Sequence, residues 1–358
     1  MSAGQRDRVH PTDEPLPGPP RSRRRLWLAL KVALSVAILA LVIGRNDPSA
    51  LWDALRRVSA RAVGVSAALI TLTAVIGAAR WAAVMRAYGA PHLPSAGRLL
   101  RLYFMGFFYN LWLPGGVGGD LVRGVASREA FGDAGATAGL TVVFVERLCG
   151  LIGLFLFVGV SFSLWPLPGV DVPVVYAAMA LALAASGVAL VALAPALTPV
   201  LPPPLARITA RVPRLVRREP FILALGLSTL THLFTALSGH VLVAALAPNV
   251  SATHSLTVVS LAAVSAFFPL THAGAGIREG AFVQLYAPLG VPGASAVAAS
   301  LGLFATQLLV SGAGALVSVL AGGAQAPIPE PSTPTIGAAG PPPTPTDPAG
   351  PTQQGEAP

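Results

Sequence analysis

The sequence predicts an all-α, polytopic membrane helix bundle with about six full spans and two broken, re-entrant helical hairpins. Three observations carry that prediction. Charged residues make up 11% of the chain and hydrophobic ones 54%, whereas a soluble domain carries about 25% charged residues. Apolar runs close to the ~20 residues that a spanning helix needs recur between patches of arginine. Two further apolar stretches are broken by proline and glycine and then end in charge. Irregular backbone at membrane depth survives only where protein or a water-filled cavity satisfies its polar groups.

Residues 1–25 are polar and Pro-rich and end in Arg21, Arg23, Arg24 and Arg25, which reads as a disordered cytoplasmic tail. Residues 26–44 form the first span; the run is long for a signal peptide and no Ala-x-Ala site stands out after it. Within 45–61, Trp52, Leu55 and Val58 recur at helical spacing among six charged residues, so a short interfacial helix is expected. Residues 62–80 make the second span, and Arg80, Arg86, Arg98 and Arg101 mark a basic region after it. Residues 134–163 are apolar except for Glu146 and Arg147. The connection 164–173 has three prolines and no basic residue, and is placed outside. Residues 174–194 span back to a loop, 195–220, whose Arg207, Arg211, Arg214, Arg217 and Arg218 mark it as cytoplasmic.

Residues 221–246 span outward and carry His232 and His240. Residues 256–270 then re-enter, break at Pro269 and Gly274-Ala275-Gly276, and continue as Ile277-Arg278-Glu279. The last span is 295–320, and 323–358 reads as a disordered Pro-rich tail. The membrane domain is therefore 26–322 with both termini cytoplasmic; eight full crossings is the alternative count. The two broken stretches, Phe107–Asp120 and Ala266–Glu279, share an order of aromatics, proline, spaced glycines and charge. They enter from opposite faces, the pattern of an inverted repeat; two independent kinked helices would leave the same trace.

The formal charge of +9 invites a nucleic-acid reading, but the arginines sit at the ends of apolar runs, as orientation signals do. No nucleic-acid partner is expected. The single Cys149 lies in an apolar run, which excludes an internal disulfide and a cysteine metal cluster; neither metal nor cofactor is expected. Gly115–Gly119 lacks the Gly-Lys-Ser/Thr ending of a P-loop.

Charges within spans cost roughly 2.5–3.5 kcal/mol each on insertion scales and usually face a partner or a cavity. Asp120, Arg123, Glu146, Arg147, Arg278 and Glu279 are such charges, three of each sign. Either they line a chamber for a charged headgroup, or they are structural salt bridges between helices. A half-helix starting near Gly119 or Gly276 offers free N–H groups to an anion. Gly116, Gly118, Gly119, Gly274 and Gly276 would let that anion approach the backbone, and arginine would clamp it. Asp120 is alternatively only a helix N-cap. His272, beside the second break, is a further candidate, whereas His232 and His240 fit interhelical hydrogen bonds better than a proton relay. No clear nucleophile–base pair is visible.

Ala79-Arg80-Trp81, Leu113-Pro-Gly-Gly-Val-Gly-Gly-Asp120-Leu-Val-Arg123, Glu146-Arg147-Leu148-Cys-Gly150 and Gly274-Ala-Gly-Ile-Arg278-Glu279 together resemble the lysylphosphatidylglycerol synthase transmembrane family. This is the flippase-like membrane domain of multiple peptide resistance factors, without their aminoacyl-transferase domain. The resemblance runs from about residue 26 to 320. It implies a multi-pass plasma-membrane protein that is not itself an enzyme. Its expected ligands are membrane lipids with an anionic or isoprenoid-linked headgroup, and a lipid-synthesising enzyme is an expected partner. His272-Ala273 departs from the family pattern, which favours a small polar residue and glycine there. An intramembrane enzyme acting on a lipid phosphate and a non-transporting scaffold are the competing readings.

Overall fold

The computed structural model describes residues 21–113, 118–128, 130–131, 135–200, 202–203, 206, 214–264, 271 and 274–321. His272, Gly116 and the segment 323–358 lie outside the described residues. Within them every regular element is helical: α1 (Arg21–Arg45), α2 (Pro48–Arg57), α3 (Ala60–Ala87), α4 (Ala96–Trp112), α5 (Gly118–Ala126), α6 (Gly135–Leu164), α7 (Pro173–Leu197), α8 (Arg218–Ala244), α9 (Ala252–Ala263), α10 (Ile277–Tyr286) and α11 (Gly293–Leu320). Five of these, α3, α6, α7, α8 and α11, are long and apolar enough to cross a membrane, and α1 with α2 makes a sixth, bent element.

The local chemistry sets the boundaries. Asp47 caps α2 by accepting from Ser49 N–H at 2.9 Å, and Pro48 stands at its first position, where the missing N–H costs nothing. Ser59, Ser95 and Ser251 cap α3, α4 and α9 in the same way. α1 includes Arg21–Arg25, which the sequence alone assigns to the tail. α3 runs seven residues beyond Arg80, so that arginine lies inside the bundle rather than at its edge.

The helices share two ends. At one, Val216 and Arg217 donate backbone N–H groups to Ala87 O at 2.9 and 3.0 Å, and Arg101 Nη1 donates to Ala321 O at 3.2 Å. At the other, Gly293 meets Asn46, Gly169 meets Pro288, and Thr257 donates to Trp165 O at 3.5 Å. The buried core divides accordingly. One layer gathers Trp81–Tyr88 with Val142–Ile152 and Phe221–Ala224; the other gathers Leu154–Phe162 with Ala236–Val243, Phe282 and Leu303. α9 and α10 belong to the second layer, whereas α4 contributes to both. α4 ends at Trp112 and α5 begins at Gly118, while α9 ends at Ala263 and α10 begins at Ile277; residues 114–117, 265–270 and 272–273 lie outside the described residues. α5 packs on α4 and α6, whereas α10 packs on α11, α9 and α1.

Candidate functional site

Five charges meet where α3, α5 and α6 converge. Glu146 stands at the centre, 1% exposed, and takes Arg80 on one oxygen and Arg123 on the other. Arg80 Nε donates to Oε1 at 2.9 Å and its Nη2 donates to the same oxygen; Arg123 Nη2 donates to Oε2 at 3.0 Å. The same Arg123 nitrogen donates to Asp120 Oδ1 at 2.8 Å, and Arg147 Nε donates to Asp120 Oδ2. The order Arg147, Asp120, Arg123, Glu146, Arg80 thus alternates in sign, each carboxylate shared by two guanidinium groups. The Arg147 side chain is 45% exposed, whereas Asp120, Arg123 and Glu146 are buried and Arg80 is 11% exposed, so the widest opening is at Arg147.

Among the described residues of this cluster, three positive charges stand against two negative. Arg123 is held between two aromatic faces, its guanidinium 5.4 Å from the Trp81 ring centre and 5.0 Å from that of Tyr103, a geometry that stabilises a buried cation. Its Nη1 is buried and has no hydrogen-bond partner among the described residues, and the same holds for Trp81 Nε1. Two buried N–H donors on touching side chains are therefore unsatisfied, at a cost of about 1–3 kcal/mol each. An acceptor that carries negative charge would satisfy them.

Gly118, Gly119, Gly274 and Gly276, four of the glycines expected to cradle an anion, are described, and each has close neighbours or a positive φ. A Cβ on Gly119 would stand 1.9 Å from Gly106 O, so this glycine lets α5 lie against the α4 backbone. Its N–H already donates to Asn110 Oδ1 at 2.9 Å, while Asn110 Nδ2 donates to Asp120 Oδ1 at 3.0 Å. Asn110, not Asp120, thus occupies the capping role. At the second break, Gly276 adopts φ 84° and a Cβ there would meet Ile38 and Leu39 of α1. Its N–H donates to Glu279 Oε2 at 2.6 Å. Gly274 also takes positive φ, 75°, and Gly118 faces Leu113.

Arg278 and Glu279 pair with each other rather than with the first cluster. Arg278 Nη2 and Nε donate to Glu279 Oε1 at 2.6 and 3.1 Å, and Ser300 Oγ joins both, accepting from Arg278 Nε at 3.0 Å and donating to Glu279 Oε1 at 2.9 Å. Phe304 lies under the guanidinium, 4.9 Å away. At ~1.5 Å per residue, Arg80 stands about 10 Å from the α3 end of the bundle and Ser300 about 10 Å from the opposite one. The two charge groups therefore occupy different halves of the molecule.

Sequence reasoning omits Arg80, Asn110, Trp81 and Ser300 from its candidate residues. Arg80 is visible as a basic residue, but treating it as the end of a span hides its partner. His232 Nε2 contacts Gly150 O at 2.9 Å, the interhelical bond expected of it. His240 Nδ1 meets Ser255 Oγ at 3.0 Å, a hydroxyl–imidazole contact that no sequence spacing signals. Ser255 is fully buried, so the contact joins α8 to α9 and offers no exposed nucleophile.

With this geometry in place, one comparison decides the family. Residues 28–314 match the family model described as the lysylphosphatidylglycerol synthase TM region. The chain belongs to this family. It is a multi-pass helical membrane protein of a lipid-related membrane domain family, and the motifs at Arg80, Asp120, Glu146 and Arg278 all fall inside the matched region. No curated protein matches the chain.

Proposed function

We propose that this lysylphosphatidylglycerol synthase TM region protein binds a lipid with an anionic or isoprenoid-linked headgroup and carries it between leaflets, as a transporter rather than an enzyme. The observation that carries the proposal is the alternating charge chain with Arg123 at its middle. Its central Arg123 is buried between two aromatic rings and keeps an Nη1 that has no hydrogen-bond partner among the described residues. A phosphate oxygen supplies an acceptor that carries negative charge, and an arginine fork matches it bidentately. The exposed Arg147 meets the headgroup first, and Asp120 exchanges one arginine for the other as the phosphate moves inward. Arg278, Glu279 and Ser300 then serve the half of the path nearer the other face.

Orientation follows from charge. The end that carries Arg86, Arg98, Arg101, Arg214, Arg217 and Arg218 is the cytoplasmic one, as short cytoplasmic loops favour arginine and lysine. This reading puts the two termini in the cytoplasm and the protein in the plasma membrane. A lipid-synthesising enzyme is its expected partner on the cytoplasmic side.

The test is lipid flipping in proteoliposomes, using labelled phosphatidylglycerol and comparing wild type with Arg123→Ala and Arg278→Ala. Loss of flipping in folded Arg123→Ala protein supports the proposal. Unchanged transport in both variants removes these residues from it.

A further inference from the structure

The end of the bundle opposite the arginine-rich one carries its own basic residues in a single place. The connections 165–172, 245–251 and 287–292 contain no lysine or arginine, whereas residues 45–61 contain Arg45, Arg56, Arg57 and Arg61 against Asp47 and Asp53. Orientation does not account for them, because arginine in a short loop favours the other side of the membrane. All four are exposed. Asp47 is engaged as the α2 cap, and among the described residues no ion pair joins Asp53 to Arg56 or Arg57.

The helix that bears them is built to lie flat. α2 turns 93° from α1 at Asn46-Asp47, so a spanning α1 leaves α2 in the plane of the membrane surface. Its inner face, Leu51 and Ala54, is buried against Val297 and Ala298 of α11. Its outer face exposes Trp52 at 55%, and aromatic rings of this kind settle at the headgroup level. Arg56 stacks over that ring, its carbon 4.7 Å from the centre. Arg56 is exposed, so its guanidinium is open to a phosphate, which arginine clamps bidentately.

We infer that α2 is a docking surface for anionic phospholipid headgroups, with Trp52 in the interface and Arg56 and Arg57 on the phosphate. The partner is a lipid surface rather than a soluble anion, because the exposed tryptophan demands an apolar neighbour that a free ion does not offer. The inference stands apart from transport: it concerns equilibrium binding at the face away from Arg123 and Arg147, and it holds whether or not the protein moves lipid.

The experiment uses the full chain purified in neutral detergent and titrated with phosphatidylglycerol brominated near the top of its acyl chains. Quenching of Trp52 is read as the difference between wild type and Trp52→Phe. Saturable quenching is expected. Each basic residue near an anionic surface strengthens binding about fivefold, so Arg56→Gln/Arg57→Gln should weaken it about twentyfold. Arg86→Gln, at the opposite end, should leave it unchanged. Both arginines are exposed, so an unaltered unfolding temperature will accompany the effect. Equal quenching by brominated phosphatidylcholine, unchanged affinity in the double variant, or displacement of the lipid by inorganic phosphate would each overturn the inference.

Discussion

In the α4–α5 hairpin the charges at the start of the second half-helix reach outward. Asp120 and Arg123 are tied to Glu146 and Arg147 on α6 and, through Glu146, to Arg80 on α3. In the α9–α10 hairpin the corresponding charges close on themselves: Glu279 binds its own neighbour Arg278, its own helix start at Gly276, and Ser300. Among the described residues the first network joins three arginines to two carboxylates and is open at Arg147; the second pairs one with one and is buried. A similar run of glycine and charge thus builds two different devices, depending on which helices lie beside it. The proposed ligand path enters by the first network, which links three helices and opens at Arg147.

Substitutions at equivalent places should separate the two. The largest effect is expected from Glu146→Gln, which leaves Arg80 and Arg123 with one carboxylate fewer. Removing one partner of a buried ion pair costs about 3–5 kcal/mol, and thermal unfolding in detergent reads it as a marked fall in the midpoint. Glu279→Gln strips the cap from Gly276 and the partner from one arginine only, so about 2–3 kcal/mol is expected. If the second variant proves the more damaging, the closed hairpin is the more critical of the two and the comparison above fails.

Backbone approach gives a smaller contrast. Gly119→Ala drives a methyl into Gly106 O and should cost about 1–3 kcal/mol by forcing α4 and α5 apart. Gly280→Ala in α10 meets only Val42, at 3.9 Å. It should be neutral or stabilising by up to about 1 kcal/mol, since alanine suits a helix interior better than glycine. Unfolding of the pair side by side decides whether Gly119 is the more tightly packed of the two.

The smallest stability effect is expected from Arg147→Gln. Its side chain is 45% exposed, and ion pairs of exposed residues contribute about 0–1 kcal/mol. The same variant should nonetheless slow lipid flipping severalfold, because Arg147 stands at the open end of the charge chain. A variant that flips at the wild-type rate would make Arg147 a bystander and leave the first network as closed as the second.

Much of this was legible without coordinates. Spans of the right length, basic loops and the four family motifs are all one-dimensional signals, and the runs 134–163, 174–194, 221–246 and 295–320 became helices within about three residues of their expected bounds. The starts of α5 and α10 at Gly118 and Ile277 were also readable, because glycine followed by charge marks a helix beginning. The role of Arg80 was not. A charge seven residues from a helix end looks like an anchor unless its partner, Glu146, is known to lie beside it, and the two are 66 positions apart.

By itself the sequence determined the class of solvent this chain must meet and the places where its helices break, since composition and local propensity act over a few residues. Tertiary structure alone decided which charges share a network. Asp120, Arg123, Glu146 and Arg147 came together with Arg80, while Arg278 and Glu279 remained a separate pair with Ser300. The physical reason is that pairing in a low-dielectric interior depends on distances of about 3 Å between groups far apart in the chain. Only the packing of α3, α5 and α6 sets those distances.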